Sequence, residues 1–491
     1  MNHVEPSRRP QSMCPSTQCG WRFRAACLAL GIVGVALSGC VGTQPTDPYA
    51  VIPGLQREAL VRTNNAPSRP LPVQGPLTRA QAIEIALANN PEIAAVAWDT
   101  LAAENRREYA QAGRWPILSA EAGYGHFLDA QRLIPTRYNG EPGVFDRDIY
   151  RSDLIMKVPL FTGGKITSEI QAAELLRLAE EKRLARSKEE LVFNVSSTFY
   201  VILSQLGIIR SLEFSTKTIE EHRKQILDLM AAQKAARVDL LRAEVRLADL
   251  RHALIREQQL LAIQKRLLIN LMGVDSGTER ITLAGTLPDE PSSNETDQDA
   301  VRTALRQRGD YLAARDRLEA QAKRVDGARA GYWPTVNLMA SYGVRGAPHP
   351  EDKGKNTANE EDVAAIGMVV TVPLFEGGRT AALVRQEFAA LAAAQERLRK
   401  LEQQIRREVE TAVLNVDSSR ARIEATRSSI EQAQESLRIE RMKYDLGSGS
   451  VTDLLDAQSA LLQSETNFAR AVADFHIAMA SLQLATGGSA L

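Results

Sequence analysis

The chain has 491 residues, 24% of them charged and only 5% aromatic, with Lys plus Arg equal to Asp plus Glu at 60 each. Balanced charge excludes recruitment of nucleic acid or of an anionic surface by an overall field. The length allows two or three ordinary domains, and a composition leaning toward Ala, Leu, Glu, Arg and Gln favours long helices.

The N-terminus sets Arg8, Arg9, Arg22 and Arg24 ahead of an apolar run from Ala25 to Leu37. That run is too short for a comfortable membrane span and has the form of a secretory signal. It ends in Leu37 Ser38 Gly39 Cys40, which resembles the lipobox of bacterial lipoproteins, where the Cys becomes the lipidated first residue. By the same resemblance, Val rather than Asp at position 41 implies sorting to the outer membrane. All four cysteines (Cys14, Cys19, Cys27, Cys40) lie here, so a chain starting at Cys40 can form no internal disulfide. No later segment approaches the ~20 apolar residues of a spanning helix, so a membrane crossing would have to be made by strands.

Residues 40–76 are proline-rich and aperiodic, an extended tether. Helix is predicted from Leu77 and Thr78, with Thr78 as N-cap and a break at Asn90 Pro91, to Gly113; Trp115 Pro116 stops it. Leu118, Ala120, Ala122 and Tyr124 then alternate with Ser119, Glu121, Gly123 and Gly125, the period of a half-apolar strand. A polar loop over residues 129–153 is predicted to precede a second strand through Leu154, Met156 and Val158. The motif Val158 Pro159 Leu160 Phe161 Thr162 Gly163 Gly164 Lys165 follows, marking a strand-to-helix junction: Pro suits the strand end, and paired glycines permit a sharp change of direction. Helix continues to about Met230, weakens over residues 234–237, and resumes with Leu240, Leu247, Leu254, Leu261 and Leu268 at coiled-coil spacing to Met272.

A polar linker (274–298) separates this first repeat (77–273) from a second (299–487), with a tail at 488–491. Helix is predicted from Ala300 to Gly331, ended by Trp333 Pro334, and strands follow through Val336 to Val344 and Ala364 to Val372. The junction recurs 214 residues on as Val372 Pro373 Leu374 Phe375 Glu376 Gly377 Gly378 Arg379. A long helix carries Val409, Val416, Ile423, Ile430, Leu437 and Tyr444 in heptad register to the turn Leu446 Gly447 Ser448 Gly449 Ser450, after which come Leu454, Leu461, Phe468, Phe475 and Leu482. Each of these five lies 214 residues after one of the five leucines. Heptads alone describe a coiled coil or solenoid, but the two strand hairpins between the helices count against that. Each half thus supplies one helix on the order of 100 Å and two about half as long that can stack beside it, giving a columnar bundle.

Four strands cannot close a barrel, and open sheet edges are not viable in lipid. Three chains would supply twelve strands, an even number suited to bacterial barrels, each about ten residues long, with the polar face (Ser119, Glu121, Lys157, Asn337, Ser341, Thr371) toward water.

The duplicated order of helix, strand hairpin, PLFxGG junction and long helix resembles the TolC-type outer-membrane efflux (outer-membrane factor) family, over about residues 77–487, and the lipobox resembles its lipidated members. The resemblance implies a mainly α fold with a membrane β-barrel: a homotrimeric, twelve-stranded barrel continuous with a periplasmic coiled-coil tunnel. A periplasmic adaptor (membrane fusion) protein and an inner-membrane pump of RND or ABC type would dock at the tunnel tip. It further implies docking at Leu446, Gly447, Ser448, Gly449 and Ser450, an aperture at Asp453 and Asp456, and tip closure through Tyr444 and Asp239. Capping of the final helix is the alternative role for Asp453. In the first tip Gln233 stands where the family has Gly, and no Arg lies near Gly449.

Nothing points to an enzyme or a cofactor: the histidines (His3, His126, His222, His252, His349, His476) lack metal-ligand spacing, Gly164 Lys165 lacks the rest of a P-loop, and no GxSxG occurs. Two readings remain: a passive exit duct for tripartite efflux or type I secretion, and a lipid-anchored periplasmic coiled-coil structural or adaptor protein. For a duct, drug, metal-ion and polypeptide export are all compatible, because a wide water-filled passage needs no shaped pocket.

Overall fold

The computed structural model describes residues 75–133, 144–233, 235–274, 281–285, 299–350, 352–353 and 359–488, all within the unit Pro70–Leu491. Cys40 and the signal lie outside the described residues. The elements run α1 (Arg79–Asn89), α2 (Pro91–Ala112), β1 (Ile117–Arg132), β2 (Val144–Phe161), α3 (Lys165–Ala231), α4 (Arg237–Leu271), α5 (Ala300–Gln307), α6 (Gly309–Arg329), β3 (Thr335–Gly346), β4 (Asp352–Lys353), β5 (Glu360–Thr371), α7 (Arg379–Asp445) and α8 (Val451–Thr486).

Thr78 caps α1 in a reciprocal pair: its Oγ1 accepts from the Gln81 N–H at 3.3 Å, and Gln81 Oε1 accepts from the Thr78 N–H at 3.0 Å. The break falls at Asn90, whose Oδ1 accepts from the N–H groups of Glu92 and Ile93 while Pro91 opens α2. The second half breaks at the corresponding place, Arg308 (φ −63, ψ 120 against −65, 124 at Asn90), although a continuous helix was expected there. No proline marks this break. It is held by ion pairs from the buried Arg308 to Asp310 (2.9 Å) and Glu408 (2.7 Å), and Gly309 passes so close to α3 that a Cβ would come within 2.7 Å of the Lys182 carbonyl oxygen.

The four long strands form an antiparallel sheet in the order β1-β2-β3-β5, with the two-residue β4 against β2. The expectation of ten-residue strands and a loop over residues 129–153 is corrected, since β1 and β2 have 16 and 18 residues, and β3 and β5 have 12 each. Polar cross-strand pairs extend the hairpin beyond the apolar alternation. Tyr124 Oη donates to Asp148 Oδ1 at 2.6 Å, and His126 Nδ1 lies 2.7 Å from the same oxygen.

Both junctions turn strand into helix through two consecutive left-handed residues, Gly163 (φ 63) with Gly164 (φ 89), and Gly377 (φ 61) with Gly378 (φ 83). The helices they launch, α3 and α7, have 67 residues each. α3 packs on α4, α6, α8 and α2, whereas α7 packs chiefly on α8 and α6. Heptad residues fill these seams: Leu247, Leu268, Val409, Val416, Ile423, Leu454 and Phe475 are buried. Two arginines of the core, Arg186 and Arg308, donate to the Leu484 and Ala485 carbonyls at the end of α8, where cations complement the helix dipole. Residues 281–285 of the inter-repeat segment join the core, with Leu77 bridging Leu283 and Ile281 buried.

Contrary to expectation, α3 contains an 18-residue window with mean hydropathy 1.5, apolar enough to cross a membrane by composition. That window is 61% buried, and Val195, Phe199, Ile202 and Leu203 pack against α1 and α4. The apolar stretch serves the bundle core.

The two junctions should respond unequally to substitution. Gly377→Ala meets only the left-handed penalty, about 1–2 kcal/mol, because nothing lies within 4 Å of an added Cβ. Gly163→Ala also drives its Cβ to 2.6 Å from Trp333 Cβ and 2.8 Å from the Ala330 carbonyl oxygen, adding an overpacking cost of about 1–3 kcal/mol. Thermal unfolding should show a distinctly lower midpoint for Gly163→Ala; equal midpoints would show that the Trp333 contact is unimportant.

Candidate functional site

Two surfaces carry chemistry: the helical tip and the faces of the sheet. At the second tip the chain leaves α7 through Leu446, reverses at Gly447 (φ 78), and enters α8 with Ser450 as N-cap, its Oγ accepting from the Thr452 N–H at 3.1 Å. The Lys443 carbonyl oxygen gathers the turn, accepting from the N–H groups of Ser448 (2.9 Å) and Gly449 (3.0 Å). Glycine is needed at position 449, because a Cβ would come within 2.9 Å of the Tyr444 nitrogen. Leu446 is 77% exposed at the apex. Asp453 and Asp456 are both exposed, and the side-chain cap of α8 is Ser450.

The first tip repeats this backbone with different chemistry. Gln233, the counterpart of Gly447, takes the left-handed conformation (φ 56), the only non-glycine among the described residues with positive φ, at a cost on the order of 1 kcal/mol. Asp239 Oδ2 accepts from the Ala236 N–H at 3.3 Å, which caps α4. No hydrogen bond joins Asp239 and Tyr444 among the described residues, yet Asp239 is close enough to act on Tyr444: burial first, then the carboxylates of Asp239 and Asp445, push the phenol up. Tyr444 therefore keeps its proton as a donor.

Sequence reasoning missed Arg242. Its Nη1 donates to Thr452 Oγ1 at 2.6 Å, joining α4 to α8, and stands 4.0 Å from Asp239 Oδ1. The i,i+3 spacing of Asp239 and Arg242 was the available signal. His222 was also missed. Buried on α3, it sets its ring edgewise to Tyr444 at 4.9 Å, with Nδ1 3.4 Å from Gln225 Oε1 and a buried Nε2 without a partner.

In the part of the sheet nearer the helices (residues 118–124, 150–158, 336–342 and 364–370) the even-numbered residues form a largely apolar face, which is bare: Ile366 is 77% exposed and Met368 64%. Tyr124, Tyr150 and Tyr342 mark the end of this face away from the helices, and Trp115 and Trp333 the end beside them, all exposed. Trp115 to Tyr124 is about 30 Å along a strand. Tilted by about 40°, that rises about 23 Å, the height of an outer-membrane apolar band between aromatic girdles. β1 and β5 each leave one edge unpaired. Among the described residues no group of three or more His, Cys, Asp or Glu could hold a metal ion.

The His222 geometry gives the tip an acid dependence. Burial pushes the imidazole below its ordinary value; Gln225 and Asp445 oppose this and Arg441 adds to it. The unfolded chain thus binds the proton more readily, so the stabilisation is complete above about pH 6.5 and is lost as pH falls from there toward the lower folded value. Hydrogen exchange of residues 440–450, corrected for intrinsic rates, should rise on acidification in wild type and stay flat in His222→Phe. An equal rise in both would exclude His222 as the cause.

With this geometry in place, comparison with known proteins gives one assignment. Residues 82–274 and 300–488 match the outer membrane efflux protein family. The proteases secretion protein PrtF of Dickeya chrysanthemi is 24% identical over 379 residues, 76% of this chain and 80% of that protein. The outer membrane protein TolC of Vibrio cholerae serotype O1 is 27% identical over 197 residues, 40% of this chain and 44% of that protein. The crystal structure of the outer membrane protein VceC from Vibrio cholerae shares the fold, with a TM-score of 0.71 at 22% identity, covering 84% of this chain and 96% of that one. The duplicated bundle with its four-stranded sheet is that of this family, and the chain belongs to the outer membrane efflux protein family.

Proposed function

We propose that this outer-membrane channel works as a homotrimeric, passive exit duct of a tripartite efflux or type I secretion system. The observation that carries the reading is a four-stranded sheet with a bare apolar face and two unpaired edges. In lipid each unpaired backbone group costs several kcal/mol, and four strands are too few to close on themselves. Three copies pairing β1 with the neighbour's β5 remove every edge and make twelve strands. The alternative, a lipid-anchored periplasmic structural or adaptor protein, gives no use for an exposed apolar sheet face bounded by aromatic residues.

In this reading α3, α4, α7 and α8 form the periplasmic tunnel. Its tip at Leu446–Ser450 receives a periplasmic adaptor protein, and an inner-membrane pump of RND or ABC type supplies the energy. Asp453 and Asp456, exposed at the start of α8, would each become a ring of three carboxylates that attracts cations. Tyr444, with a retained proton, and Asp239 would close the tip across helices. Cys40 carries the lipid, and the mature chain begins there.

Mass measurement in mild detergent should give three chains, and the purified protein should form stable pores in planar bilayers; monomer alone would exclude the duct. Within those pores, Asp453→Asn with Asp456→Asn should weaken block by multivalent cations at low salt, where the Debye length is about 30 Å at 0.01 M. Unchanged block would remove both aspartates from the aperture. Cys40→Ser should abolish lipid labelling and leave pore formation intact, because insertion depends on strands; labelling that persisted would disprove the lipobox.

A further inference from the structure

The polar face of the sheet contains glycines that the backbone does not require, and at two of them, Gly123 and Gly343, a charged side chain fills the space a Cβ would take. Gly123 and Gly343 both lie in regular antiparallel pairing, and neither has positive φ. Space explains them. Gly343 pairs with Asp153, and a Cβ at 343 would stand 2.1 Å from Asp153 Oδ1. The Asp153 carboxylate therefore lies across β3 in the notch left by the glycine, where its Oδ1 accepts from Arg345 Nη1 at 2.6 Å. Gly123 pairs with Arg151 in the same manner, and a Cβ there would meet Arg151 Nε at 2.8 Å and Cγ at 3.3 Å. The arginine stem rests flat over β1.

The wall at this level is heavily charged, yet its long side chains lie along it. Glu121 stands directly opposite Asp153, a repulsive pairing of two carboxylates that Arg345 offsets from the other side. The Arg345–Asp153 pair is largely shielded, its side chains 24% and 12% exposed.

We propose that Gly123 and Gly343 set the bore and the charge balance of the barrel wall at this level. They let Arg151 and Asp153 fold onto the wall, which keeps the bore wide at this level, and they seat Asp153 where it neutralises Arg345. Charged solutes then pass this level with little selection by sign. The inference rests on the trimeric-duct reading, in which this face lines the passage and each notch occurs three times.

The test uses the full-length protein in planar bilayers with inorganic tripolyphosphate added on the barrel side. Asp153→Asn removes the negative charge that neutralises Arg345 without changing the space, and should strengthen polyanion block about tenfold at low salt, where ring charges are least screened. Gly123→Ala lifts Arg151 from the wall and should both lower conductance and strengthen the block. Gly343→Ala should act like Asp153→Asn; because its Cβ also meets the Ser152 carbonyl oxygen at 2.4 Å, the first two variants carry the test. Pores of Asp153→Asn and Gly123→Ala with wild-type block and conductance overturn this inference alone. A wild-type protein that forms no pore overturns the duct reading and this inference with it.

Discussion

The constraint on which the rest depends is the hydrogen bonding of two strand edges. Within the sheet, β2 and β3 are paired on both sides, while β1 and β5 each carry a row of N–H and C=O groups facing outward. Water would satisfy these groups at little cost; hydrocarbon would not. The bare apolar face beside them is destined for hydrocarbon, since exposure of residues such as Ile366 and Met368 to water is unfavourable. A surface that prefers lipid and edges that cannot tolerate it are reconciled only when other copies supply the missing strands. Membrane insertion and assembly are therefore one requirement.

The junctions transmit that requirement to the helices. One strand ends at Phe161, just past Pro159, and the other at Thr371, just before Pro373; two left-handed glycines then redirect the chain, and a 67-residue helix begins. The two halves keep backbone geometry and change the chemistry that holds it. Asn90 breaks the first helix by capping and Arg308 breaks the second by buried ion pairs, at the same dihedral angles. Gly447 reverses the chain freely, and Gln233 reverses it under strain. The duplication thus conserves shape, while the side chains that enforce the shape have diverged, which lets one half specialise without moving the other.

Most of the architecture is legible in the sequence because it rests on periodicity. The heptads of Leu240 to Leu268 and Leu454 to Leu482, the alternation around Leu118 and Val336, and the repeated PLFxGG motif locate helices, strands and junctions with little error. What escapes depends on contacts between distant residues. The break at Arg308 has no proline and is fixed by Glu408, a hundred residues away. The outer halves of β1 and β2 look like loop because Asp146, Asp148 and His126 are polar, and their pairing shows only when the strands are set in register. At the tip, exposed Asp453 and Asp456 can be placed from sequence, but the Arg242–Thr452 link between helices 210 residues apart cannot. α3 illustrates the converse: its apolar window, overlooked in the sequence, has the composition of a membrane span, and its packing shows it to be core.

In the proposed duct the passage treats charge differently at its two ends, and the difference follows from where the carboxylates point. At the tip, Ser450 takes the capping role, so Asp453 and Asp456 spend no hydrogen bond on α8 and stand in solvent. In the sheet, Asp153 is drawn into a glycine notch and held by Arg345. A charge that faces the lumen acts on a solute over a Debye length, about 8 Å at physiological ionic strength, whereas a paired one acts mainly on its partner. In the proposed trimer the exposed carboxylates of the tip act on a solute within that range, whereas the paired charges of the barrel wall act mainly on each other. In the proposed duct, selection by charge therefore belongs to the helical end, and the barrel lets through what the tip has admitted.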